Sequence, residues 1–382
     1  MIYKLSDICG YVKGKVDISK LALCTYISTE NMLSNKAGII ESSALPNIKQ
    51  TQIYRAGDVL VSNIRPYFKK IWYATYDGGC SNDVLVFRAK NGVSKRFLYY
   101  VLADDNFFSY SMLNSKGTKM PRGDKKAIME YKVPKFSYEE QVKIAKILGD
   151  LDDKVAVNKE INRNLSEQAQ AYFEELFIQN ASVEWKEGTL SDVGSIVAGG
   201  TPSKSNQEYY TDNGIAWITP KDLSVDKAVF VSHGENDITE LGLQKSSATM
   251  MPAGTVLFSS RAPIGYIAIA ANEVCTNQGF KSVVPNDNVG TSYVYYLLKQ
   301  LLPTIENMAS GSTFKEISGS AMKIVPTVIP DDETLKRFSD FCDPIMKQIQ
   351  KNEQESKRLV ELRATLLPKL MSGKIDVSDL KI

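Results

Sequence analysis

EEQVKIAKILGDLDDKVAVNKEINRNLSEQAQAYFEEL, residues 139–176, is the stretch on which the fold turns. Ile144, Leu148, Leu151, Val155, Asn158, Asn162, Leu165, Ala169, Tyr172 and Leu176 recur at alternating steps of four and three. That spacing writes one seam along a long helix, interrupted by two asparagines. A second seam follows residue 331 with Phe338, Cys342, Ile345, Ile349, Asn352, Ser356, Leu359 and, less regularly, Leu362 and Leu366. Asn158 and Asn352 are 194 residues apart, so the polar break falls at the equivalent place in both. Buried polar seam positions weaken a coiled coil but set its register and orientation. Asn158, Asn162, Asn352 and Ser356 are therefore expected to register two helices paired with each other.

The 194-residue offset is one sign of a duplication. Leu5-Ser6-Asp7-Ile8 returns as Leu190-Ser191-Asp192-Val193, and Ala56-Gly57-Asp58-Val59-Leu60 as Ala253-Gly254-Thr255-Val256-Leu257. Cys80-Ser81-Asn82 matches Cys275-Thr276-Asn277, and Tyr99-Tyr100-Val101-Leu102 matches Tyr295-Tyr296-Leu297-Leu298. Ser115-Lys116-Gly117-Thr118 faces Ser310-Gly311-Ser312-Thr313. Five matches in one order at shifts of 185–197 define two diverged halves. In each, strand-like runs (58–64 and 84–88; 254–259 and 266–269) and a short amphipathic helix (97–102; 293–301) precede the long helix. The fold class expected is α+β: two similar globular domains separated by two long helices pairing as an antiparallel coiled coil, with pseudo-twofold internal duplication. The segments are 1–138, a first globular domain; 139–180, a central helix; 181–330, a second globular domain; 331–370, a C-terminal helix; and 371–382, a tail.

Composition removes whole classes of chemistry. Of 382 residues, 43% are hydrophobic and 24% charged, an ordinary globular balance. A single histidine, His233, excludes paired-imidazole metal sites. The five scattered cysteines contain no Cys-x-x-Cys, which fits reduced thiols in a cytoplasm. No signal peptide and no membrane span are expected. Gly10–Lys15 has the wrong spacing for a phosphate loop and reads as a turn. Asp124, Glu130 and Lys132 form a weak likeness to a nuclease cluster, and His233 sits in a loop-like polar stretch. No amino-methyltransferase tetrapeptide is present. The expectation is a chain with no catalytic residue, no metal and no cofactor of its own.

The net charge of +2 hides an asymmetry. Residues 1–138 carry 21 basic against 11 acidic groups, whereas residues 181–330 carry 10 against 14. The first domain is a candidate polyanion binder. Its basic groups interleave with aromatics, and Arg65, Lys69, Lys70, Lys116, Thr118, Lys119, Arg122 and Lys125 are its candidate DNA contacts. In the second domain the candidates are Thr201, Lys204, Thr219, Lys221, Arg261, Ser312, Thr313 and Lys315. Because that domain is acidic overall, its few cations must gather on one face. A stand-alone nuclease or an adaptor that binds only protein are the competing readings.

The run Leu362-Arg363-Ala364-Thr365-Leu366-Leu367-Pro368-Lys369-Leu370-Met371-Ser372-Gly373-Lys374-Ile375 resembles the C-terminal signature of the specificity subunit of Type I restriction–modification enzymes. Glu140–Leu148 resembles the start of that family's central helix, while the second helix begins differently, with Asp332-Glu333-Thr334. Gly199-Gly200-Thr201-Pro202-Ser203 with Ile215-Ala216-Trp217-Ile218 resembles the opening of its second recognition domain. The resemblance implies a non-catalytic reader of double-stranded DNA, each domain reading half of a split target. It also implies two partner modification subunits that use S-adenosylmethionine, and partner restriction subunits that use ATP and magnesium.

Overall fold

The computed structural model describes residues 2–261, 263–311 and 315–380. Ser312 and Thr313 lie outside the described residues. The chain divides into two compact units, 1–155 with 358–382, and 156–357. Both divisions fall inside the long helices, Tyr138–Glu174 and Asp332–Met371. Each unit thus consists of one globular domain plus a half of both helices.

In the first unit one sheet runs Cys9–Tyr11, Val84–Ala89, Val59–Ser62, Ile71–Tyr73, and a second runs Lys15–Asp17, Gln50–Tyr54, Gly78–Cys80, Tyr26–Ile27. The residues between Tyr11 and Lys15 turn the chain from one sheet into the other, with Gly14 at φ 140°. The second unit repeats both. Its first sheet is Gly194–Ala198, Lys281–Pro285, Val256–Phe258, Ile267–Ala270, extended by Phe230–Val231; its second is Tyr210–Thr211, Asn236–Ile238, Ile215–Ile218, Cys275–Thr276. Even the parallel pair recurs, Tyr26–Ile27 on Gly78–Cys80 and Ile215–Ile218 on Cys275–Thr276. Where Asp104 breaks the first domain's helix into Lys95–Ala103 and Asp105–Leu113, the second domain's helix runs unbroken over Thr291–Met308. That helix is longer than its apolar periodicity suggested, and it carries Pro303 in its interior.

The helix starts are capped by sequence-local chemistry. Ser137 Oγ accepts from the Glu140 N–H at 3.2 Å while Glu140 Oε2 accepts from the Ser137 N–H at 2.6 Å, a reciprocal box. At the equivalent place Asp331 accepts from the Thr334 N–H at 2.8 Å and from the Trp185 indole at 2.8 Å. Each core continues into the helices of its own unit. Ile144, Leu148, Leu367 and Leu370 join Phe97, Phe107 and Val59 in the first. In the second, Ala169, Phe173, Phe177, Phe338 and Ile349 join Tyr293 and Tyr296.

The helix halves pair antiparallel within each unit, since partner numbers rise on one as they fall on the other. In the second unit the polar break is bridged by side-chain hydrogen bonds between the two helices. The Asn352 side-chain amide donates to Asn162 Oδ1 at 2.7 Å, and the Asn162 amide donates to the Ile349 carbonyl at 3.2 Å. The Asn158 amide, 1% exposed, reaches Glu355 at 2.8 Å and Ser356 at 3.3 Å. Asn158, Asn162 and Asn352 thus meet across the seam. Leu362 is a correction: it is exposed, and the inward place belongs to Arg363, whose guanidinium binds Asp152 in the first unit. Charge pairing at a half-buried site has displaced the apolar residue there.

Candidate nucleic-acid interface

Two loops of the first domain carry its candidate residues, and the fold brings them together. One is the connection between Val59–Ser62 and Ile71–Tyr73, containing Arg65, Lys69 and Lys70. The other is a hairpin whose stem pairs Ser115–Lys116 with Arg122–Gly123. Gly117, at φ 93°, turns the chain so that Thr118 and Lys119 stand exposed at its tip. The loops are stitched by backbone bonds: Arg65 N–H to the Pro121 carbonyl at 2.8 Å, and Gly123 N–H to the Asn63 carbonyl at 3.2 Å. Lys125 follows directly as the first residue of the helix Lys125–Met129.

Many of these cations are already occupied. Lys69 shares Asp105 with Lys36 at 3.1 and 2.6 Å, Lys116 pairs with Asp124 at 2.8 Å, and Arg122 pairs with Asp83 at 3.1 Å. Burial alone would raise the Asp105 carboxyl, yet the two lysine hydrogen bonds hold it below its usual range. Lys70 is turned inward: its ammonium donates to the Thr29 carbonyl at 2.7 Å, and burial lowers its pKa. Arg65, Lys119 and Lys125 have no acidic partner among the described residues.

Asp124 and Glu130, with Lys132 the suggested nuclease cluster, have other work. Asp124 caps the Lys125–Met129 helix through the Lys126 and Ala127 N–H groups. Lys116 and those two amides push its carboxyl down to about 2. Glu130 is bound by Lys4 at 2.6 Å. His233 is half exposed, with Nδ1 3.3 Å from Asp237 Oδ1.

The second domain repeats the two-loop arrangement with different charges. Arg261 and Glu316 bridge as Ile64 and Arg122 do, and the Ile317 N–H donates to Ser260 as Gly123 does to Asn63. Ser310 and Glu316 close the loop holding Lys315, which is exposed. Where the first domain has the cation Arg122, this one has Glu316, bound to Arg261 at 2.9 Å and 3.9 Å from buried Lys281. Burial lowers the pKa of Lys281. Thr201 donates to Gln278, beside the same loops. Lys204 is exposed, without an acidic partner among the described residues. Thr219 is a helix cap rather than a free contact: its N–H and hydroxyl both bind Asp222 at 2.7 Å. Lys221 is held by Glu235 at 2.5 Å. Sequence reasoning missed Lys36, Asp83, Lys281 and Glu316, which join the site only through tertiary pairing. Tyr67 and Phe68 were visible as aromatics between basic residues.

A duplicated α+β scaffold with loop-borne cations on each half and a registered helix pair defines a two-module nucleic-acid reader. The chain matches the Type I restriction modification DNA specificity domain over residues 1–167 and again over 182–361. It belongs to that family and is a DNA-binding specificity subunit. The specificity subunit of the Type I restriction enzyme MjaIX from Methanocaldococcus jannaschii is 38% identical over 196 residues, which are 50% of this chain and 45% of that one. The HindI specificity subunit from Haemophilus influenzae is 25% identical over 98% of this chain and 99% of its own length. The crystal structure of the Type I S subunit from M. genitalium has the same fold, with a TM-score of 0.62 at 16% identity over 97% of this chain and 96% of that one.

Cations free of carboxylates can release counterions on meeting phosphate, whereas paired ones must first leave an acidic partner. Replacing Lys119 and Lys125 by Gln is therefore expected to flatten the slope of log affinity against log salt by up to about 1.8. Replacing Lys116 and Arg122 should flatten it less. Binding titrations of both double variants at several salt concentrations check this ordering.

Proposed function

We propose that this chain is the non-catalytic reader of a bipartite duplex target, each domain reading one half. On this reading it directs two modification subunits, which methylate adenine with S-adenosylmethionine, and restriction subunits, which use ATP and magnesium, to that target in the cytoplasm. The chain itself binds no cofactor. The observation that carries the reading is the repetition of the two-loop arrangement in both domains with diverged side chains. Matching loop pairings with unequal charges, Arg122 against Glu316, suit two different half-sites. Support also comes from the acids near the basic cluster, which cap helices or neutralise lysines rather than converge.

The test is the methylation pattern of DNA from cells expressing the chain with its modification subunits. A split motif with modified adenines is expected, and it should change when either domain is exchanged. Purified chain alone, incubated with duplex, S-adenosylmethionine and magnesium, should give neither methylation nor cleavage. Turnover by the chain alone would overturn the assignment.

A further inference from the structure

All four non-glycine residues with left-handed backbones among the described residues stand in one place: Asn35 (φ 55°), Lys36 (63°), Arg65 (50°) and Lys69 (51°). This conformation is unfavourable for an L side chain and persists only where its surroundings over-determine it. Here they do. Asn35 donates to the Phe68 carbonyl at 2.8 Å, and Lys36 donates to the Lys69 carbonyl at 3.0 Å. Arg65 is fixed to Pro121, and Lys36 and Lys69 share Asp105. Between Arg65 and Lys69 lies a single tight turn, Pro66–Phe68, anchored by buried Pro66.

What this constraint presents to solvent is a pair of rings. Tyr67 is 47% exposed and Phe68 36%, with centroids 4.6 Å apart. Neither belongs to the hydrophobic core, so packing does not explain the strained backbone beneath them. Arg65 opens this turn with its backbone tied to the hairpin that carries Lys119 and Arg122, and the Lys70 ammonium lies 5.8 Å from the Phe68 ring centroid. Apolar faces framed by cations fit a duplex whose phosphates meet the charges and whose bases meet the rings.

Among the described residues the second domain carries no exposed ring pair at this turn. At the equivalent turn Ile264 packs onto the core, and Gly265 (φ 94°) packs against Leu302, whose side chain a Cβ there would meet at 2.5 Å. We propose that Tyr67 and Phe68 form a pre-set aromatic wedge with which the first domain tests how easily one base step of its half-site unstacks. This rests on the DNA-reading function above. Opening a step is least costly at pyrimidine–purine steps, so the wedge confers preference through deformability rather than base-edge hydrogen bonds. A turn ordered before binding loses little entropy on contact.

The test uses the full chain assembled with its modification subunits and a pool of randomised duplexes. The wild type should enrich TA or CA/TG at one position of the first half-site. Tyr67→Ala with Phe68→Ala should lose that preference and bind the wild-type target about 10- to 100-fold more weakly. The second half-site, the gap and the salt slope should stay unchanged, because no charge is removed and the second domain serves as an internal folding control. Tyr67→Phe should keep the preference. An unchanged preference and affinity in the double variant would overturn the proposal, as would equal losses at both half-sites. So would loss of the preference when uracil replaces thymine, since that marks a methyl contact. If the wild-type assembly enriches no sequence at all, the DNA-reading function itself falls, and the wedge with it.

Discussion

A chain lengthened by one heptad in each long helix, after Val155 and after Lys357, is expected to fold and to lose its original target. The two helices hold 37 and 40 residues, or about 55–60 Å of rise each. A heptad keeps every seam position on its face and adds roughly 10 Å, about three base pairs of duplex. Three base pairs also rotate one half-site by roughly 100° against the other. Holding only one half-site should cost on the order of 1,000-fold in affinity. Binding that returns should favour a longer gap, read by selecting duplexes whose gap length is randomised. Persistence of the original gap would show that helix length does not set it. Adding four residues after Val155 alone should instead disrupt pairing, because only one seam moves and Asn158 and Asn162 no longer face their partners consistently.

Phe338→Ala is expected to be the most damaging single substitution in the second unit, at about 3–5 kcal/mol. Phe338 is fully buried, and Tyr172, Phe173, Phe177, Tyr293 and Tyr296 all surround it with ring centroids at 5.2–6.5 Å. One ring therefore joins both helices to the globular core of that unit, and a cavity at the junction cannot collapse without parting them. Phe338→Leu, which keeps most of the volume, should cost far less. Hydrogen exchange checks where the loss falls. Amides of Thr291–Met308 should lose protection while those of Lys95–Ala103, in the other unit, keep theirs. Equal loss in both helices would show that the two units unfold together.

The duplication, the helices and their asparagine breaks were legible in the sequence because each is a periodic or repeated pattern. A seam from Ile144 to Leu176 needs only the 3.6-residue geometry of a helix to declare itself, and Asn158 and Asn352 register it through their equal offset. The basic character of the first domain was equally plain, being a count. Which cations remain available was not. Asp105 reaches Lys36 and Lys69, and Asp83 reaches Arg122, through contacts that no local pattern encodes. Thr219 looked like a free hydroxyl until Asp222 closed the cap.

Glu353 makes the same point within the second helix. It reads as an ordinary charged residue beside the seam, yet it accepts the Val229 and Phe230 N–H groups at 2.8 and 3.0 Å, and burial pushes its carboxyl up to about 7. Side-chain periodicity is a property of one element and survives in the linear chain. Charge pairing, burial and backbone strain are properties of neighbours in space. The sequence alone therefore determined the duplication and the paired helices, and the tertiary structure decided which of the candidate cations are already held by acidic partners.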